Sequence, residues 1–98
     1  MNTKILKYEI PVPKRTNDYS VIGMPNLRQV LAVGTQVTDE ERIFVWVAVD
    51  ADVNAVQYSE AFYVIPTGGT LPDMYEINFV GTVFFKTAPL VFHIYHRD

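Results

Sequence analysis

The feature that most constrains this chain is a run of seven apolar residues, Ile43–Val49 (IFVWVAV). Its β-branched and aromatic residues are typical of a β-strand, and a strand with one solvated face would alternate apolar and polar residues. Because this run does not alternate, both faces of the strand need cover. A chain of 98 residues has a small interior, so association with further copies of the chain is one way to supply that cover.

Proline, glycine and short polar stretches divide the rest of the chain into further strand-like segments. We predict a single domain over residues 1–98. It is mainly β, a small compact antiparallel sandwich or barrel-like fold of about seven short strands with Ile43–Val49 at its centre. Gly34 predicts a β-bulge, and Thr38–Glu41 predicts a four-residue turn. The other predicted strands are Lys4–Ile10, Tyr19–Ile22, Arg28–Val37, Ala61–Ile65, Tyr75–Val80 and Pro89–Tyr95.

Composition and charge exclude several classes of function. The formal net charge is −3, which argues against binding of bulk nucleic acid. The absence of cysteine excludes disulfides, zinc–thiolate sites and thiol catalysis. The longest apolar run is far shorter than the roughly 20 residues that a membrane-spanning helix needs. The chain starts without a secretory signal, so we expect a protein of the cytoplasm that does not bind membranes.

The segment Pro66–Pro72 (PTGGTLP) is the most loop-like part of the chain and its first candidate site. Two adjacent glycines allow a backbone to approach a ligand closely, and successive backbone N–H groups can form an anion-binding nest. Thr67 and Thr70 add hydroxyl groups on either side of Gly68 and Gly69. We therefore predict that Thr67, Gly68, Gly69 and Thr70 bind a ligand; the alternative is an ordinary connecting loop.

Three arginines and a tyrosine complete the predicted ligand-binding set. The guanidinium groups of Arg15, Arg28 and Arg42 could meet phosphates, and the ring of Tyr58 could stack on a base. The alternative is that most aromatic side chains of so small a domain belong to the core. Trp46, in the strand with no solvated face, is expected in the core or at a subunit interface.

The spacing of the two histidines argues against a metal site that they share. His93 and His96 lie three residues apart on a predicted strand, so their side chains should point to opposite faces. We expect His93 to be a hydrogen-bonded core or interface residue and His96 to be solvated near the terminus. No nucleophile elbow or Ser/His/Asp arrangement is evident. The prediction is a protein with no catalytic residues, no metal and no cofactor, and therefore not an enzyme.

Several short segments, in a shared order along most of the chain, resemble a family of small proteins encoded by bacteriophages and prophages. The resembling segments are Ile5–Tyr8, Met24–Pro25, Val30–Val33, Val45–Asp50, Thr67–Pro72, Phe79–Thr82 and Leu90–Tyr95. Each is short, and it is the ordered set that carries the resemblance.

Phage proteins of this size are similar to immune-evasion sponges of the anti-CBASS type. The resemblance implies a homo-oligomer, a dimer or tetramer, in the cytoplasm of a host bacterium. It would bind a host cyclic nucleotide signal, such as the cyclic dinucleotide cyclic GMP-AMP, and hide it without hydrolysing it. The alternative is a small phage accessory or virion-associated protein that acts by protein–protein contact.

Overall fold

Seven antiparallel strands arranged in two facing sheets make up the fold. The computed structural model describes residues 2–13, 19–52, 54–73, 76–86 and 90–97. Within these residues there is no α-helix, and none of the chain described could cross a membrane as a helix. The predicted mainly-β fold is confirmed. The strands are β1 (Thr3–Ile10), β2 (Tyr19–Met24), β3 (Asn26–Gln36), β4 (Asp39–Asp50), β5 (Tyr58–Pro66), β6 (Ile77–Phe84) and β7 (Val91–Arg97).

The apolar run occupies the middle strand of the smaller sheet. Sheet I has the strand order β1-β4-β3, and sheet II has the order β2-β5-β7-β6. β4 pairs with β1 from Ile10↔Ile43 to Thr3↔Asp50, and with β3 along its other edge. The prediction that residues 43–49 form a central strand is therefore confirmed.

The core lies between the two sheets and contains one face of the apolar run. Alternate residues of β4, at positions 43, 45, 47 and 49, are fully buried. Sheet II supplies the facing side chains from its two middle strands. These are Phe62 and Val64 of β5 and Phe92 and Ile94 of β7. Burial of these β-branched and aromatic side chains is the main favourable contribution to folding.

The opposite face of β4 is covered partly by cationic side chains of the same chain. Phe44 is only 6% exposed although it points away from the core between the sheets. The ammonium group of Lys7 lies 5.0 Å from the centre of its ring, and the Arg42 guanidinium lies 5.5 Å away. Long side chains of this kind bury their methylene groups against apolar surface while their charges stay in water. Trp46 lies beside Phe44, with ring centres 6.4 Å apart, and is half-buried.

The β3–β4 hairpin is tighter than the sequence suggested. Gln36 pairs with Asp39, so the turn consists of Val37 and Thr38, and the predicted four-residue turn is wrong. The acidic residues that follow belong to β4. Their charges are balanced across the surface: Asp39 accepts a hydrogen bond from Arg42 at 3.1 Å, and Glu40 lies 3.4 Å from the Lys86 ammonium.

Register shifts in β3 and β6 bring the two sheets together along one side. A shift follows Gly34, as predicted, and β3 has two more. Another shift in β6 lies between Phe79 and Gly81. The sequence leaves open whether the strand continues or turns after Val80, and the structure shows that it continues to Phe84. A Cβ atom on Gly81 would lie 2.8 Å from Val33, so glycine permits this close approach of β6 to β3.

Ile94 and Ile5 provide a matched test of where the stability resides. Ile94 is fully buried and Ile5 is 68% exposed, although both lie on strands. We expect Ile94→Ala to reduce the free energy of unfolding by about 2–5 kcal/mol, because it leaves a cavity. Ile5→Ala should change it by less than about 0.5 kcal/mol. Urea unfolding measures both, and equal losses would contradict the assignment of the core.

Candidate functional site

One strand presents three different functional groups on the solvent-facing side of sheet II. In β7 the buried Phe92 and Ile94 alternate with His93, Tyr95 and Arg97. Successive side chains of a strand point to opposite faces, so the latter three share the outer face. A hydrogen-bonding ring, a phenol and a guanidinium therefore follow one another along a line of about 13 Å.

Strand register places four aromatic rings side by side across this face. Tyr63 of β5 pairs with Tyr19 of β2 and with Tyr95 of β7, and Tyr95 pairs with Phe79 of β6. Ring centres lie 5.5 Å apart for Tyr19 and Tyr63, and 5.4 Å apart for Phe79 and Tyr95. We call these four residues the aromatic row. Tyr19 is 41% exposed and Phe79 is 59% exposed, so both ends of the row can be reached by a planar ligand.

His93 is bridged between two threonine hydroxyls. Its Nε2 lies 2.9 Å from Thr67 Oγ1, and its Nδ1 lies 3.1 Å from Thr82 Oγ1. A neutral imidazole donates through one nitrogen and accepts through the other, so one threonine accepts a hydrogen bond and the other donates one. The predicted hydrogen bonding of His93 is confirmed, but the residue is half-buried on the outer face of β7 and does not belong to the core. The bridge also attaches the loop that begins at Thr67 to strands β6 and β7.

The two glycines of the loop form a tight turn. The Gly69 N–H donates to the Pro66 carbonyl at 2.8 Å, and Gly68 has a φ of 90°. Glycine at the third position and a hydrogen bond from the fourth residue to the first are typical of a turn that needs a positive φ at its third residue. A Cβ atom on Gly69 would lie 2.9 Å from the Pro66 oxygen. The Gly69 N–H is thus already used within the loop and does not point at a ligand in this conformation.

A shallow pocket lies where this loop meets the aromatic row. Its volume is about 260 Å³, which is slightly below the range of roughly 300–1,000 Å³ that is common for small-molecule sites. We call it the loop pocket. It is lined by Ile65, Pro66, Thr67, Gly68, Gly69, Leu71, His93 and Tyr95. Thr70, the fourth predicted loop residue, is exposed beside it.

The structure separates the remaining predicted site residues from this pocket. Tyr58 begins β5, at the end opposite the loop, and shares a second cavity with Arg28. Arg28 lies 3.5 Å from the Asp50 carboxylate. Arg42 is on the outer face of sheet I. Arg15 lies outside the described residues.

Arg42 is held by two carboxylates and shifts the pKa of one of them. It forms ion pairs with Glu9 and with Asp39. Its hydrogen bond and charge hold the pKa of Glu9 below the ordinary value of 4.5. The same partner, Glu9, raises the pKa of Arg42. Among the predicted cations, Arg42 is thus committed to a surface network on sheet I.

His96 occupies a different environment from the one predicted. The two histidines do point to opposite faces, as expected from their spacing. However, His96 is not solvated: its side chain is 13% exposed and its Nε2 lies 2.8 Å from Glu60 Oε1. Its ring centre lies 5.0 Å from that of Phe62. The residue faces inward because it shares the register position of Phe62, which the core buries.

Tyr95, Phe79 and Arg97 were missed in the sequence interpretation. The alternation of Phe92 and Ile94 with polar or amphipathic residues was a usable signal, because it separates an inner from an outer face of β7. The aromatic row had no such local signal, since its members come from four strands. Within the residues that the structure describes, no group of three or more histidine, aspartate or glutamate side chains could hold a metal ion.

The comparison with protein families covers the whole chain. Residues 1–98 match a family model described as domain of unknown function DUF7352. The chain belongs to this family. No curated protein and no solved structure is detectably similar to it. For this DUF7352 domain, the geometry of the outer face of sheet II is therefore the main guide to what the protein can bind.

The turn in the loop can be tested at Gly68. Replacement by alanine forces a residue with a side chain into a φ of 90°, so we expect Gly68→Ala to cost about 1 kcal/mol of folding free energy. Gly23 in β2 has open space around it and provides the control. Gly23→Ala should leave the unfolding midpoint unchanged or slightly higher. A neutral effect of Gly68→Ala in thermal unfolding would contradict the turn geometry.

The Glu9–Arg42 pair predicts a measurable change in a pKa. In Arg42→Gln, the pKa of Glu9 should rise towards 4.5, because the carboxylate loses its cation and hydrogen-bond donor. NMR titration of the Glu9 side chain measures this. The contribution of the pair to stability is present above pH 4.5 and is lost as pH falls through the lower pKa of the folded state. An unchanged Glu9 titration in the variant would show that the pair does not form in solution.

Proposed function

We propose that this protein binds a cyclic nucleotide without hydrolysing it, on the outer face of sheet II. The observation that carries the proposal is the line of His93, Tyr95 and Arg97 beside the loop pocket. Recognition of a nucleotide needs a ring to stack on the base, donors for its polar edge and a cation for phosphate. The outer face of β7 supplies the ring of Tyr95 and the cation of Arg97, and the Thr67 hydroxyl, which His93 holds in place, supplies the polar group.

The proposed pose follows from the order of the three groups. A base stacks on Tyr95 and extends towards the exposed ring of Phe79. The part of the ligand that enters the loop pocket contacts the Thr67 hydroxyl and the His93 ring. A phosphate at the opposite side of Tyr95 lies close to Arg97. Adjacent positions on one face of a strand are about 7 Å apart, so these contacts fit one nucleotide. Stacking on one aromatic ring contributes roughly 1–3 kcal/mol.

Arg97 is well suited to exchange partners. It lies 3.2 Å from Glu76, and the two side chains are 43% and 64% exposed. An ion pair as exposed as this contributes little to stability, so a phosphate can replace the carboxylate at low cost. Its guanidinium carbon also lies 6.0 Å from the ring centre of Tyr19. This local cation would offset ligand charge in a protein whose overall charge is negative.

A second copy of the chain would complete the site. The loop pocket is shallow and holds only part of a cyclic dinucleotide, which has two bases and two phosphates. Exposed apolar side chains lie at the pocket, as Leu71 does, or on the same face of sheet II, as Phe79 and Phe84 do. A two-fold dimer through this face would place two identical half-sites around a two-fold symmetric ligand. A homo-oligomer is also expected from the sequence, but there the contact would be made by the apolar strand Ile43–Val49, which lies in sheet I.

The biological part of the proposal comes from the resemblance to phage proteins. In that reading, the protein acts in the cytoplasm of an infected bacterium as an anti-CBASS sponge. It sequesters a host cyclic nucleotide, such as cyclic GMP-AMP, and thereby keeps the signal from its effector.

A second candidate function uses the same face for contact with another protein. Val21 and Phe79 are each more than half exposed on this side of sheet II. A flat apolar surface of this type is typical of a protein interface. In that case the protein is a phage accessory or virion-associated component, and no nucleotide binds.

The proposal can be tested by thermal unfolding with a panel of cyclic di- and trinucleotides. We expect at least one of them to raise the melting temperature and to be recovered intact by chromatography. Phe79→Ala and Arg97→Gln should each weaken this ligand about tenfold, since one removes stacking surface and the other a cation. Ile5→Ala and Arg42→Gln, both on the outer face of sheet I, are the controls and should bind as the wild type does.

Two results would overturn the proposal. If no cyclic nucleotide shifts the melting temperature, the sponge function is wrong and the interaction module takes its place. If binding is seen but is unaffected by Phe79→Ala and Arg97→Gln, the ligand lies elsewhere. Light scattering adds an independent check, because a particle of the 11.2 kDa monomer mass at micromolar concentration contradicts the proposed dimer.

A further inference from the structure

The second cavity lies at the open end of the sandwich, remote from the loop pocket. Its volume is about 330 Å³, within the common range for small-molecule sites. We call it the mouth cavity. It is lined by Asn26, Leu27, Arg28, Gln29, Val30, Tyr58, Glu60 and His96. A cavity that also touches Val30 and His96 continues it towards Asn78 of β6.

The mouth cavity forms where the inner faces of the strands change from apolar to polar. Along β5 the inward residues are Val64 and Phe62, which are buried, then Glu60 and finally Tyr58, which is 51% exposed. Along β7 the buried Ile94 is followed by His96. The core therefore ends in a recess with an aromatic ring at its rim and polar groups at its base.

Each of the two carboxylates at or near the mouth cavity faces a basic side chain. Glu60 and His96 are 2.8 Å apart, with side chains 20% and 13% exposed. Arg28 lies 3.5 Å from Asp50, which also accepts a hydrogen bond from Thr3 at 3.1 Å. The Arg28–Asp50 separation is longer than a hydrogen bond, and the Arg28 side chain is 60% exposed. Most donors of its guanidinium fork thus remain available to a ligand.

We propose that the mouth cavity binds a neutral purine with a guanine-type edge. Arginine recognises guanine through the adjacent O6 and N7 acceptors, which match the two parallel N–H groups of the fork. Arg28 supplies this fork, and the exposed ring of Tyr58 stacks on the purine. The side-chain amides of Asn26 and Gln29 both donate and accept hydrogen bonds, as the remaining edge of guanine requires.

A neutral ligand fits the charges better than an anion does. The carboxylates of Asp50 and Glu60 lie at or near the cavity and repel phosphate, while the cation Arg28 already lies beside Asp50. This inference does not rest on the proposed function. Tyr58 is the first residue of β5, and Thr67 follows its last residue. The two residues are nine positions apart along an extended chain, so the two sites are separated by about 30 Å.

The test is an NMR titration of the isotope-labelled protein with guanosine and, in parallel, adenosine. We expect guanosine to shift the backbone amide signals of Arg28, Tyr58 and His96 and to bind at least about fivefold tighter than adenosine. Adenine presents an amino donor in place of O6 and cannot pair with both N–H groups of Arg28.

Paired variants assign the contacts. Arg28→Lys should weaken guanosine about tenfold, because an ammonium group cannot form the two-pronged contact. Tyr58→Ala should weaken it about tenfold by loss of stacking, whereas Tyr58→Phe should retain binding. Arg42→Lys and Phe84→Ala are the controls, because both residues lie outside the mouth cavity. Unchanged melting temperatures of the free variants would show that folding is unaffected.

Three outcomes overturn the inference: no binding of guanosine at millimolar concentration, equal binding of guanosine and adenosine, or unchanged affinity in Arg28→Lys. Shifts confined to His93 and Tyr95 would instead place the purine at the loop pocket and also overturn it. If the protein binds guanosine but no cyclic nucleotide, only the proposed function is refuted. The proposed function and this inference can therefore fail separately.

Discussion

The rest of the structure depends on the cover that both faces of β4 require. One set of its side chains, including Val45 and Val47, is fully buried between the sheets. The other set, including Phe44, lies under the Lys7 and Arg42 side chains. Because a strand with two apolar faces leaves no surface for water, the chain must place a second sheet on one side and long amphipathic side chains on the other. Sheet II exists in its present position because it covers the first of these faces.

The sequence was a good guide to the fold because its signals are local. The apolar run, the prolines and Gly34 act through the backbone or through period-two alternation, and each led to the correct element. The failures were also physical. Charged residues at Asp39–Glu41 favour a turn by composition, but Arg42 of the same strand pairs with Asp39, and Lys86, just after β6, pairs with Glu40, so these acids can lie in β4. His96 was expected in solvent because it is near the terminus, yet Glu60 and Phe62 enclose it.

The candidate site was less predictable because it is assembled by register. Tyr19 and Tyr63 are paired although they lie far apart in the sequence, and Tyr95 and Phe79 extend the same row. No local pattern specifies which tyrosines will become neighbours. The loop was recognised correctly as a loop, but its glycines satisfy a turn and its Thr67 hydroxyl bonds to His93. Of the other four predicted site residues, Arg28, Arg42 and Tyr58 lie elsewhere and Arg15 lies outside the described residues, because charge and residue type alone do not specify the face of a strand.

The strand order also has a consequence for how the chain reaches its native state. β1 pairs with β4, and Thr3 and Asp50 meet across 47 residues. β5 likewise pairs with β2 on one edge and with β7 on the other, and neither is its neighbour in sequence. Only the β3–β4 and β6–β7 pairs join strands that are neighbours in sequence. A topology so dominated by distant pairings closes large loops before it gains contacts, so folding should take milliseconds to seconds, with the tight β3–β4 hairpin as the most accessible nucleus.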